Sequence, residues 1–293
     1  MKKTSPLVSV VIPCYNHQDF IQDSIQSVID QTYQNIELII IDDGSKDNSV
    51  EKIQEMISSC QKRFVRFEFR TRPNKGLSAT LNEAIEWCEG EYLGLLASDD
   101  IIFKDKTSIQ VDFLEERPKI TAVFGGIKLL SKDNNEIRTV MKKSGFYDFK
   151  TIIMNKIDFP TATQMIRLSA IKEVGGFDPT IILEDWYMWL KLSQIGQLYY
   201  MDEVFACYRR HDNNLSNNFE KMAQGRIDVL NCFKDSPLYD KAMKNILWSN
   251  VRREYENNKE GRMSKLADMF RMQPFTTANM LLNNSIKKLR NKN

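Results

Sequence analysis

The sequence predicts an α/β fold, a mixed and mostly parallel sheet set between helices, with a helical extension at its C-terminal end. Three observations carry this prediction. Apolar runs of strand length recur at residues 7–12, 36–41 and 92–97, rich in Val, Ile and Leu, the pattern of strands covered on both faces. Between them apolar residues return at helical spacing, as in Phe20, Ile21, Ile25, Val28 and Ile29. After about residue 213 only helical patterns remain, split by Pro237 and Pro274, since proline lacks the donor a helix interior needs.

In chain order the pattern reads as follows. A strand at 7–12 leads to a helix from Phe20, and a strand at 36–41 stops at Asp42, Asp43, Gly44 and Ser45. A helix is expected over 50–59, a strand at 64–69, and a helix carrying Leu77, Leu81, Ala84, Ile85 and Cys88. The strand 92–97 follows and closes on Asp99 and Asp100. Such alternation of apolar strands and amphipathic helices builds a parallel sheet. The second half is less regular, with strands at 121–130 and 198–208 and a helix at 186–194. In sheets of this kind ligands gather at the carboxyl ends of the strands, so the residues just after each strand are the candidates for chemistry.

Composition narrows the class. A chain of 293 residues fits one large domain, or one domain with a smaller appendage. With 42% hydrophobic and 27% charged residues it is neither disordered nor fibrous. No run approaches the ~20 apolar residues of a spanning helix. The opening MKKTSPLVSVVIPCYN reads as the first strand and not as a leader: its apolar run is short, is cut by Pro13 and lacks a small-residue cleavage pattern. Five scattered cysteines without a C-x-x-C pair argue against a disulfide framework or a zinc knuckle and favour a cytoplasmic location. The net charge of +2 gives no ground to expect a nucleic-acid partner. That charge is uneven: from Gly261 onward seven Lys/Arg face one Asp, +6, which leaves −4 for the remainder, 34 basic against 38 acidic residues.

The acidic pairs at strand ends are the main chemical signal. Two carboxylates about 4 Å apart repel by about 4 kcal/mol at an effective dielectric near 20, so several on one rim need a cation, a donor-rich ligand or water. A solvated turn accounts for either pair alone. Two pairs at corresponding strand ends suit a hard cation, Mn2+ or Mg2+, of the kind that bridges the phosphates of a nucleotide.

The stretch VSVVIPCYNHQDFIQDSIQSVIDQTYQNIELIIIDDGSKDNS, then RPNKGLSATLNEAI, LLASDD and VGGFDPTIILEDWYMWLKL, resembles the family-two nucleotide-sugar glycosyltransferases over about residues 8–192. The resemblance implies the GT-A fold over residues 1–215, with 216–293 as a helical extension. It implies an inverting transfer from a nucleotide-diphosphate sugar, UDP-linked, to a hydroxyl of a glycan or lipid-linked saccharide in bacterial-type surface polysaccharide or glycoconjugate synthesis. Residue by residue, Pro13 and Tyr15 would line the base pocket and Asp43 would accept a hydrogen bond from uracil. Asp99 would sit by the ribose, Asp100 and His211 would hold the metal, and Arg209 or Arg210 would neutralise the diphosphate. Asp185 would be the general base, with Glu184 and Trp186 toward the acceptor.

Plainer readings stand beside these. Asp185 heads the helical run WYMWLKL, where an Asp N-cap is favoured by ~1 kcal/mol. His211 fits a solvated turn, Trp186 fits the core, and His17 reads as a surface residue. The chain departs from the family pattern at Ala97, where many relatives have Asp, and at Leu81, where many have Arg. Those changes support the alternative of a catalytically impaired nucleotide-sugar-binding module; Asp43, Asp99, Asp100 and Asp185 argue against it. The PCYNHQDF loop lacks the glycines of a dinucleotide-binding fingerprint, which excludes a Rossmann dehydrogenase. In the tail, Met263, Leu266, Met269 and Phe270, then Met280, Leu281, Ile286 and Leu289, form apolar faces flanked by basic residues. They suit either an anionic membrane surface, contacted peripherally, or a lid packed on the main domain.

Overall fold

The computed structural model describes residues 5–211, 214–257 and 261–290, the side chains of Ser216 and 284–290 lying outside that description. Two compact units divide the chain: Met1–Ile152 with Ile157–Asn218, and Ile153–Lys156 with Phe219–Asn293.

The first unit opens with β1 (Val8–Cys14), α1 (Ile21–Ile29), β2 (Ile36–Asp42), α2 (Ser49–Gln54), α3 (Ile57–Arg63), β3 (Arg66–Thr71), α4 (Leu77–Trp87) and β4 (Tyr92–Leu95). It continues through β5 (Ile101–Ile102), α5 (Lys106–Glu115), β6 (Ile120–Leu130), β7 (Glu136–Val140), β8 (Gly145–Tyr147), α6 (Phe149–Ile153), β9 (Met165–Arg167), α7 (Leu168–Glu173), α8 (Glu184–Ile195) and β10 (Gln197–Arg209). One sheet runs in the order β3-β2-β1-β4-β9-β6-β10-β5, with β7 on β6 and β8 on β10. It is mixed: β3, β2, β1 and β4 are parallel neighbours, as are β6 and β10, while β9 runs antiparallel to β4 and β6.

The continuous apolar strands occupy the centre of this sheet. Every residue of β2 is buried, as are Val8, Val11, Ile12, Leu93 and Leu95 on its neighbours. Burial on both faces removes the polar alternation of a half-exposed strand. Cys14 of β1 lies beside Asp42 of β2, so the chain leaves both strands on the same edge. Glu37, at the other end of β2, is charge-matched by Arg66 at 2.8 Å and accepts the Glu89 N–H at 2.7 Å.

Two sequence expectations shift. The helix expected over 50–59 is two helices, because Gln22 donates to the Lys52 carbonyl at 3.1 Å while Met56 N–H turns to Ile53 O. The strand expected at 64–69 begins at Arg66, since Arg63 at the end of α3 binds the carbonyls of Ile29, Gln31 and Tyr33 and holds that helix to its last residue.

The second unit contains α9 (Phe219–Asn231), α10 (Tyr239–Asn257), α11 (Arg262–Met272) and α12 (Pro274–Arg290). Its own small core joins Trp248, Met269 and Met280. Thr277 accepts the Trp248 indole N–H at 2.9 Å and donates to Met269 O at 3.0 Å, so the buried polar groups are matched. The expected apolar faces therefore split: Met269 and Met280 point inward, while Met263 is 78% and Phe275 86% exposed. Ile286 and Leu289 have side chains outside the described residues. Among the described residues no helix is long and apolar enough to cross a membrane.

Candidate active site

A cavity of about 560 Å³ opens where β1, β2 and β4 end, lined among others by Pro13, Tyr15, Asp43, Gly76, Thr80 and Ala97. A smaller hollow of about 190 Å³ is lined by His17, Phe20, Asp47, Lys132 and His211, and shares Asn16 and His17 with the first.

The turn after β2 shapes the larger cavity. Gly44 has φ +77, and a Cβ there would meet Asn74 N at 2.8 Å, so the Asp43–Gly44 turn packs directly on the 72–76 loop. Asp43 Oδ1 accepts the Arg72 guanidinium and the Lys75 N–H (2.8 Å), and Oδ2 accepts the Gly76 N–H at 2.9 Å. Arg72 is itself held by Glu83 at 2.7 Å and Thr80 at 2.9 Å. A carboxylate oxygen takes about two hydrogen bonds, so Oδ2 retains room for one further donor. Asp42 is fully buried, its Oδ2 capping the Gly44 and Ser45 N–H groups. Burial pushes the Cys14 thiol up to about 12, which leaves no thiolate for nucleophilic work.

The end of β4 distributes its two acids differently from the sequence expectation. Asp100, expected to hold the metal, is buried, with Oδ1 accepting the Arg209 N–H at 3.1 Å and its carbonyl accepting Ser24 Oγ at 2.6 Å. Burial, then the neighbouring Asp99, holds its carboxyl well above the usual range. Asp99, expected at the ribose, is the acid that meets His211, Oδ2 to Nε2 at 2.8 Å. Arg209 is also turned inward. Its guanidinium donates to Asn134 Oδ1, Asp99 O and Asp23 Oδ2, each at 2.9 Å, and stacks over Phe20. With a side chain only 1% exposed, Arg209 is a brace that fixes the end of β10 against the acidic turn. Arg210, the other expected phosphate ligand, is exposed.

His17, read from sequence as a surface residue, is drawn into this cluster. Asn16 takes the left-handed conformation, φ 54, which Asn tolerates, and binds Ser45 and Lys46. His17 then returns to the rim with Nδ1 at 2.7 Å from Ser98 Oγ. One ligand atom each from His17, Asp99 and His211 lies within 4.8 Å of the others. The neighbouring buried acid and these donors fit a divalent ion.

Glu184 and Asp185 open α8, whose N-cap position is Leu183, without a side-chain cap bond. Asp185 Oδ1 accepts the Trp186 N–H at 2.6 Å and Oδ2 accepts the Thr161 hydroxyl at 3.2 Å. Burial and then Asp158 push the Asp185 carboxyl up to about 6, and burial and then Asp185 push Glu184 up to about 8. The turn carrying Thr161 is held from α5, where Lys106 donates to Gln164 O at 3.1 Å and Gln110 to Thr163 O at 2.7 Å. Trp186 is core: it is 5% exposed and its indole N–H donates to Ile152 O at 3.0 Å. Sequence reasoning missed His17, Ser98 and Lys132; the signal for the first two was their place just after β1 and β4.

A mixed sheet with a ligand-sized cavity and an acidic turn at its strand ends defines a GT-A type fold. TarS residues 1–349 from S. aureus, solved with UDP-GlcNAc, shares that fold with a TM-score of 0.64 at 16% identity, over 92% of this chain and 82% of that one. The family model "Glycosyl transferase family 2" matches residues 9–175. The chain is 31% identical to a putative teichuronic acid biosynthesis glycosyltransferase, TuaG, of Bacillus subtilis, over 76% of this chain and 87% of that protein. It is 26% identical, over 96% of its length, to an uncharacterized glycosyltransferase of Rickettsia felis, of which it spans only 43%. The chain belongs to glycosyl transferase family 2.

Proposed function

We propose that the protein is an inverting glycosyltransferase that moves a sugar from a uridine-diphosphate sugar to a hydroxyl of a glycan or lipid-linked saccharide, in the synthesis of a bacterial-type surface polysaccharide or glycoconjugate. The observation that carries the reading is the junction of a cavity of about 560 Å³ with the Asp99–His211 pair through shared lining residues. Its volume lies in the range of about 300–1,000 Å³ typical of small-molecule sites. The similarity to TuaG, named for teichuronic acid biosynthesis, supports the polysaccharide setting.

Pro13 and Tyr15 flank the base, and the free lone pair of Asp43 Oδ2 receives the uracil N–H. Asp99 and His211 would hold a divalent ion, which when bound would supply positive charge at the diphosphate. Exposed Arg210 and Lys132 add charge of the same sign. Asp185 takes the proton of the acceptor hydroxyl as oxygen attacks the anomeric carbon opposite the departing diphosphate, and Glu184 orients the acceptor. In the second unit, Met263 and Phe275 with Arg262, Lys265 and Arg271 suit peripheral contact with the cytoplasmic face of an anionic membrane.

A screen of uridine- and thymidine-diphosphate sugars, with and without a crude lipid acceptor, tests the reading. Nucleotide release that needs acceptor, with an inverted anomeric centre by NMR, is expected. Tight UDP-sugar binding with no release under any acceptor would establish the impaired binding module instead.

A further inference from the structure

We infer that His17 is a protein ligand of the divalent ion, and that the resulting set of two imidazoles and one carboxylate selects a first-row transition ion over Mg2+. The inference rests on the metal-dependent reading above and adds to it a third ligand and an ion class.

The geometry of His17 is that of a prepared ligand. Its Nδ1 meets Ser98 Oγ at 2.7 Å, and Ser98 is buried at 2% exposure, so the partner is fixed. Its Nε2 makes no hydrogen bond among the described residues. A histidine that binds a metal through one nitrogen commonly engages the other in a hydrogen bond, which sets the tautomer and the ring orientation. The ring is also held edge-on by Phe20 at 6.0 Å and by His211 at 5.6 Å between centroids. Its backbone N–H is tied to Ser49 Oγ at 2.9 Å. Nothing in a solvated surface histidine calls for this much anchoring.

The spacing agrees. Two ligands bound at about 2.0–2.3 Å to one ion lie at most about 4.6 Å apart, and the three atoms here fall within 4.8 Å. The donor chemistry then sets the ion. Mg2+ takes oxygen ligands and gives up its waters reluctantly, whereas imidazole suits the first-row transition ions. Two nitrogens in a three-ligand set therefore weigh against Mg2+ and for a first-row transition ion, with Co2+ and Zn2+ ahead of Mn2+ in affinity.

Pulsed EPR of the full chain loaded with Mn2+ and UDP reads the ligands directly. Couplings from two imidazole nitrogens are expected, and a single one would overturn the inference. His17→Asn keeps an amide able to reach Ser98 but removes the Nε2 donor. It should weaken Mn2+ binding by about 10–100-fold and leave Mg2+ binding, measured by competition, within about twofold. Unchanged Mn2+ affinity in a folded His17→Asn protein, or equal affinity of the parent for Mg2+ and Mn2+, would also refute it; if the variant fails to fold, the EPR result on the parent decides. Asp99→Asn separates the levels. Loss of ion binding in Asp99→Asn with one nitrogen in the parent leaves the metal-dependent reading standing and removes only His17. A parent that binds no ion at millimolar Mn2+ with UDP removes both.

Discussion

Asp99–Asp100 and Glu184–Asp185 are both adjacent acidic pairs beside regular elements, and the fold surrounds them in opposite ways. At the sheet rim every partner is fixed. Asp99 meets His211, Asp100 takes the Arg209 N–H, and both backbone carbonyls are bonded, by Arg209 and by Ser24. At the start of α8 the Thr161 hydroxyl and the Trp186 N–H donate to Asp185, and among the described residues no Lys or Arg is paired with either acid. Burial raises Asp100 at the rim as well, and at α8, with no paired cation, it pushes one carboxyl up to about 6 and its neighbour up to about 8. A charge locked among donors suits holding a ligand; a charge left without a counterion suits taking a proton.

The contrast is broken most directly at Asp185. Asp185→Asn should lower kcat by about 10²–10⁴-fold, the usual worth of a general base, with donor affinity by calorimetry near parental. Equal losses in binding and turnover would make Asp185 a structural residue. Asp43→Asn should do the reverse, weakening UDP binding by about 10–100-fold, as expected for a charged hydrogen bond and its support, while kcat at saturating donor falls less. A kcat defect larger than the binding defect would erase the distinction between the two regions.

Acidity sharpens it further. Because Asp185 as the proposed base must be ionised to accept a proton, kcat should fall about tenfold per pH unit below about 6. Asp158 is a cause of the upward shift, so Asp158→Asn should move that limb to lower pH. A limb that stays in place, or moves up, would show that another group sets it. The smallest effect is on stability. Glu184 has a folded pKa raised to about 8 above an ordinary value of about 4.3, so its ionisation costs stability progressively as pH rises between the two and fully above about 8. Glu184→Gln should therefore raise Tm at pH 8.5 more than at pH 5, by about 2–4 °C per kcal/mol relieved in a domain of this size. An equal change at both values would mean that the side chain is solvated.

The strands that build the rim were legible because both faces of β1, β2 and β4 are buried, which writes them as unbroken apolar runs. The two-residue β5, the three-residue β8 and β9, and β7, exposed at four of its five positions, are too short or too polar to register, so the mixed character of the sheet's other half could not be located. Asp43 and Asp185 could be singled out as candidates because each closes or opens a recognisable element. Which of Asp99 and Asp100 meets His211 was not legible, since adjacent acids on a turn are told apart only by what meets them, and Arg209 arrives from β10 at the far end of the unit. His17 was missed for the same reason: its partners Ser98 and His211 come from distant parts of the chain.

The Arg209 brace also governs how this family member can be recombined. Its side chain and backbone reach residues from α1, the turn after β4 and the β6–β7 turn, so a chimera joined anywhere between Asp100 and Arg209 inherits the cation from one parent and most of its acceptors from the other. Such hybrids should keep a formed rim only when both parents carry the same arginine and matching acceptors at 23, 99 and 100. Junctions after Arg209 escape that requirement and are the natural places to exchange what lies beyond.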